Sequence, residues 1–153
     1  MADLIHRVLL LGRVEAFADL SSEQLSLLGL LAHPERHELG AVIYEAGDAP
    51  RAMYLVTDGL VVLERDGAVI AEVRPGEDFG TWALFDPQPR LTAARARTAV
   101  ELLRIDRRGF EDLVEDRPDL AHGMLRSLAR RIRTLTRIIE GDDDQRSSGE
   151  ARL

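Results

Sequence analysis

Between residues 41 and 76 the chain reads AVIYEAG, MYLVTDG, LVVLERDG and VIAEVRPG, short apolar runs each closed by a glycine. Runs of this length, rich in valine, isoleucine and tyrosine and bounded by turn residues, are strand signals. Asp66-Gly67, set between LVVLER and AVIAEV, marks a hairpin, because a tight two-residue turn needs positive φ. Leu91–Arg97 and Val100–Ile105 supply two further strands. Many short antiparallel strands from about residue 37 to 105 predict a small β-barrel or jelly roll.

The flanks follow a different period. Residues 1–33 read as helical, with Ser21 and Gln24 spaced as a capping box ahead of Leu25, Leu28 and Leu31. After residue 107, Phe110, Leu113 and Val114 form a short amphipathic turn that ends before Pro118. A longer helix is expected over about 118–140, with proline tolerated in its first turn and Gly123 costing about 1 kcal/mol relative to alanine. The expected fold class is therefore mainly β with flanking helices: an antiparallel barrel or jelly roll, N-terminal helices and a long C-terminal helix. A single domain over 1–140 is followed by a polar stretch, 141–153, expected to be disordered.

Composition narrows the function. The chain has 153 residues, enough for one well-buried domain, and no cysteine, so disulfides and thiolate metal sites are excluded. Twenty basic against 27 acidic residues give a net charge of −7, a poor start for binding nucleic acid through its phosphates. The apolar run Val8–Leu11 is far too short to cross a bilayer, and MADLIHRVLL lacks a signal-peptide pattern, so a cytoplasmic location is expected. His6, His33, His37 and His122 are scattered and lie outside the strand runs between 40 and 105, which argues against a metal-dependent barrel enzyme. No nucleophile–base arrangement stands out, and no catalytic residue, metal or cofactor is assigned.

The stretch PGEDFGTWALFDPQPRLTA, residues 75–93, carries the chemistry. Its pattern PG-x-x-FG-x-x-AL-x(5)-R runs from Pro75 to Arg90. With FADLSSEQLSLLGLLA before it, and Gly40, Gly47, Asp48 and Gly59 placed around the strands, the chain resembles the cyclic-nucleotide-binding domain family over roughly residues 14–139. The resemblance implies a regulatory rather than catalytic role and a cyclic nucleotide as ligand. It also implies a phosphate-binding cassette made of Phe79, Gly80, Thr81, Trp82, Ala83, Leu84, Arg90, Leu91 and Thr92. Arg90 is suited to a phosphate through two parallel charge-assisted hydrogen bonds. Gly80 and a short helical turn after it would aim backbone N–H groups at the same anion.

Two positions depart from the family pattern. Thr81 stands where the family has a glutamate that accepts from the ribose 2′-hydroxyl, and Leu91 stands where it has a small residue. Thr92 follows, and strand alternation argues against its hydroxyl replacing the lost donor. Losing a charged hydrogen-bond partner costs about 1.5–3 kcal/mol, one to two decades in affinity. Glu77 and Asp78 lie before Phe79-Gly80 and do not replace the glutamate. Trp82, the lone tryptophan, is expected mainly to pack.

In the C-terminal helix, Ala121, Leu125, Leu128, Ile132, Leu135 and Ile139 keep a 4-3-4-3-4 spacing, a heptad seam. With the resemblance, the seam Leu125, Leu128, Ile132, Leu135 and Ile139 implies a homodimer. Arg126, Arg130, Arg133 and Arg137 form a stripe beside it, where a protein partner rather than DNA is expected. In the resembled regulators a helix-turn-helix domain follows this helix, and the sequence leaves no room for one. The preferred expectation is a regulatory module acting through dimerisation or protein–protein interaction, with weak or absent cyclic-AMP binding. The alternative is a working cyclic-nucleotide sensor whose ligand repositions the C-terminal helix.

Overall fold

In the computed structural model the backbone is described for residues 3–150 and side chains for 3–141. Helix α1 (Leu4–Leu11) and helix α2 (Ser22–Leu31) flank a 3₁₀ turn, Glu15–Phe17. The capping box is formed: the Gln24 N–H donates to the Ser21 hydroxyl, and the Ser21 N–H donates to the Gln24 side chain. Eight strands follow, β1 (His33–His37), β2 (Val42–Tyr44), β3 (Ala52–Asp58), β4 (Val61–Arg65), β5 (Ala68–Val73), β6 (Asp78–Phe79), β7 (Ala93–Ala96) and β8 (Val100–Asp106). They build two antiparallel four-stranded sheets, ordered β1-β8-β3-β6 and β2-β7-β4-β5, the expected jelly roll. Asp66 and Gly67, with φ of 52° and 79°, make the two-residue turn between β4 and β5.

Period-two alternation divides the apolar residues between two cores. From β3, Met53 and Leu55 face the helices, while Ala52, Tyr54 and Val56 face the opposite sheet. From β8, Leu103 and Ile105 join the helix-side core, and Val100 and Leu102 the inner one. Phe17, Leu11 and Leu28 are fully buried between helices and sheet, each contributing roughly 1.5–3 kcal/mol.

Strand β1 was not expected, since HPERH lies at the boundary of the stretch read as helical. It is an edge strand paired only with β8, and an edge tolerates both Pro34 and its charged residues.

Helix α3 (Arg107–Asp116) leads into α4 (Pro118–Glu150), which runs past the end expected near 140. Residues 151–153, the end of the expected polar stretch, lie outside the described residues. Leu120, Gly123, Met124 and Ser127 form the buried face of α4. Gly123 is there for closeness, because a Cβ at that position would meet Leu20 Cδ2 at 2.7 Å. No helix among the described residues is long and apolar enough to cross a membrane.

Candidate functional site

The cassette is held from both ends. The Val56 N–H donates to Glu77 O (2.9 Å) and the Gly76 N–H to Val56 O (2.8 Å), tying its start to β3. At its far end the Arg90 N–H donates to Asp48 O (2.9 Å) and the Gly47 N–H to Arg90 O (2.8 Å). The turn around Gly47 and Asp48 therefore fixes the backbone of Arg90.

The Arg90 guanidinium lies 4.0 Å above the centre of the Tyr44 ring. Its Nη1 donates to Gly80 O at 3.1 Å, its Nη2 donates to Ala52 O, and its buried Nε has no partner among the described residues. Burial pushes its pKa below the ordinary arginine value, against the opposing fields of Tyr44, Tyr54 and Asp48. A charged group so placed is short of one acceptor and of a counter-charge. Gly80 makes the arrangement possible: its φ is +67°, and a Cβ there would stand 2.5 Å from Arg90 Nη1.

Around this arginine opens a cavity of about 730 Å³, lined among others by Tyr44, Gly80, Trp82, Ala83, Leu91 and Thr92. A second cavity of about 310 Å³ meets it at Leu63, Gly80 and Trp82 and continues past Asp78, Phe79 and Thr81 to Ser127 and Arg131 of α4. The two form one cleft with a cationic end and an acidic, partly apolar end. Among the described residues no group of three or more His, Asp or Glu side chains is arranged to hold a metal.

The structure distributes the nine expected cassette residues unevenly. Gly80, Thr81, Trp82, Ala83, Arg90, Leu91 and Thr92 line the cleft. Phe79 lines it too, but is buried and stacked on Tyr54 with ring centres 5.1 Å apart. Leu84 turns away into the helix-side core. Trp82, expected to pack in the core or the pocket wall, stands in the wall: the 3₁₀ turn Thr81–Leu84 leaves it 60% exposed, lining both cavities, with an edge contact to Phe85. Leu91 is 77% exposed at the rim, so its bulk does not fill the cleft.

Thr81 is buried and donates its hydroxyl proton to Asp78, a carboxylate that the sequence reading had set aside. Thr92, half-buried just before β7, lines the larger cavity beside Tyr44 and acts to lower the Tyr44 pKa. Tyr44, Glu15, Ser127 and Arg131 were missed. They come from segments far apart in sequence, and only the inward register of Tyr44 in its strand run was a signal.

One wall of the smaller cavity is α4 itself. It is fastened to the 3₁₀ turn Glu15–Phe17 and the residues after it by Arg131 on Glu15, by Arg130 on Asp19 (2.6 Å), and by the Ser127 hydroxyl, which accepts from Asp19 N–H (3.3 Å). Arg130 is thus engaged, while the expected seam is solvent-facing within one chain: Leu125 is 63%, Ile132 64% and Ile139 62% exposed.

Comparison with known proteins agrees with this geometry. The chain is 28% identical over 129 residues to a CRP-like cAMP-activated global transcriptional regulator of Mycobacterium tuberculosis, covering 81% of this chain and 58% of that protein. It is 33% identical over 122 residues to the cyclic AMP receptor protein of Thermus thermophilus, covering 76% and 56%. The chain thus spans little more than half the length of these curated relatives. The crystal structure of the N-terminal domain of a transcriptional regulator from Streptomyces coelicolor superposes with a TM-score of 0.77 at 33% identity, over 85% of this chain and 94% of that one. The profile of the cyclic nucleotide-binding domain matches residues 34–117. On the matched sequence, the jelly roll and the arginine cleft together, the chain belongs to the cyclic nucleotide-binding domain family.

Proposed function

We propose that the protein is a non-catalytic, cytoplasmic regulatory domain that takes the phosphate of a cyclic nucleotide at Arg90, weakly, and signals through α4 paired with α4 of a second copy. The observation that carries this reading is Arg90, a desolvated guanidinium with an orphan Nε and no bonded carboxylate among the described residues, facing a cavity large enough for a nucleotide. Weakness follows from two features. Arg90 must give up contacts with Gly80 O and Ala52 O to reach a ligand, and Thr81 already spends its proton on Asp78. Pairing through Leu125, Leu128, Ile132, Leu135 and Ile139 is supported by the exposure of all of them but the partly buried Leu128 and by their heptad spacing. The net charge speaks against nucleic acid as the direct partner of these residues.

Calorimetric titration with cAMP and cGMP tests the ligand half. The chain binds one of them, Arg90→Ala loses binding, and Thr81→Glu combined with Leu91→Ser gains about tenfold to a hundredfold. No heat at millimolar nucleotide would overturn the ligand assignment, and binding tighter than about 1 μM would overturn its weakness. Sedimentation of wild type against Ile132→Asp tests the pairing, which fails if both run as monomers.

A further inference from the structure

Tyr44 is the residue on which the cationic end of the cleft is built. It closes β2, is 9% exposed, and belongs to an inner aromatic group with Tyr54 (ring centres 6.2 Å apart) and Phe79 (6.1 Å). That packing fixes the ring. Arg90 rests on its face at 4.0 Å with Nη1 and Nη2 turned to the carbonyls of Gly80 and Ala52, so the ring holds the guanidinium plane while a ligand competes for its N–H groups. Tyr44 and Thr92 both line the larger cavity beside Arg90, and Thr92 acts to lower the Tyr44 pKa. Burial raises the Tyr44 pKa, so the phenol keeps its proton at neutral pH and stays a donor. Leu91, pointing to solvent, offers no donor at the same place.

We infer that Tyr44 is a recognition residue of this cleft: its ring holds Arg90 in the plane from which it meets the ligand, and its phenol, beside Thr92 in the same cavity wall, donates to a second oxygen of the same anionic centre. The ligand chemistry so defined is a phosphodiester, with two terminal oxygens on one phosphorus. The inference rests on the reading of Arg90 as an anion site.

Binding of cAMP is measured by calorimetry on wild type, Tyr44→Leu, Tyr44→Phe, Thr92→Val, the Phe/Val double variant, and Arg90→Ala as reference. Tyr44→Leu is expected to lose about tenfold or more, and Tyr44→Phe to recover part of that loss because the platform remains. Thr92→Val should lose about threefold to tenfold, and the double variant little more than either single change, since the two hydroxyls act as one contact. Tyr44→Leu binding within about twofold of wild type, with Arg90→Ala inactive, overturns the role of Tyr44 and leaves the anion site standing. Tyr44→Phe binding as wild type overturns the donor role. If Arg90→Ala binds as wild type, or nothing binds, the anion site falls and this inference with it. Tyr44→Phe and Thr92→Val are close in shape to the native residues, so the test survives a Tyr44→Leu chain that fails to fold.

Discussion

Two arginines, one on a strand and one in the cassette loop, sit by tyrosine rings and differ in everything else. Arg104, on β8, lies 5.6 Å from the centre of the Tyr54 ring, with Asp106 at 2.7 Å and Glu35 at 3.2 Å. Burial would lower its pKa, but the hydrogen bond to Asp106 and the fields of Tyr54, Asp106 and Glu35 raise it overall. Those carboxylates also hold His33 and His37, so the whole set fastens edge strand β1 to β8. Arg90 has carbonyls in place of carboxylates, an orphan Nε and a lowered pKa. Arg104 is satisfied by the fold, whereas Arg90 is held in position without a carboxylate bonded to it among the described residues, as the proposed anion site requires.

The sharpest way to break this contrast is to remove each charge. Arg104→Leu strands two partly buried carboxylates and should cost about 1–3 kcal/mol in urea unfolding. Arg90→Leu should cost less than half as much, since no carboxylate is left behind. Equal losses would make Arg90 as structural as Arg104.

A smaller effect is expected in acid. Burial acts to raise Asp106, but hydrogen bonds from Arg104 and His33 hold its carboxyl below the ordinary aspartate value. A depressed folded pKa gives stability that is present above the unfolded value, near pH 4, and is lost as pH falls through the folded one. Stability measured from pH 5 to pH 2 should therefore fall less steeply in Arg104→Leu than in wild type. Parallel curves would remove Asp106 from the account.

The smallest effect extends the comparison to a surface arginine. Asp19→Asn weakens the grip on Arg130, which is largely exposed, and should cost about 0.2–1 kcal/mol. Amide exchange should quicken over Gly123–Arg131 and stay unchanged in the strands. Quickening spread over the whole domain would mean that this contact does not hold α4 in particular.

How much of this was legible in the sequence depends on range. The strands were legible because alternation and turn residues are local, and HPERH escaped because an edge strand follows neither rule. Gly80 and Arg90 were legible as a motif, since ten consecutive positions bring them together. Tyr44 under Arg90, and α4 against Glu15 and Asp19, join residues that only the closed barrel makes neighbours. Gly123, read as a cost within its helix, is where that helix comes closest to Leu20.

The fastening of α4 near Arg131 has a geometric consequence. From Arg131 to Ile139 the helix rises about 12 Å with every described side chain exposed. A tilt of about 10° at the fastened base would carry Ile139 sideways by roughly 2 Å, a large part of a knob-into-hole contact. The helix is in effect a pointer, and under the proposed pairing the ion pairs at its pivot would set where its far end meshes.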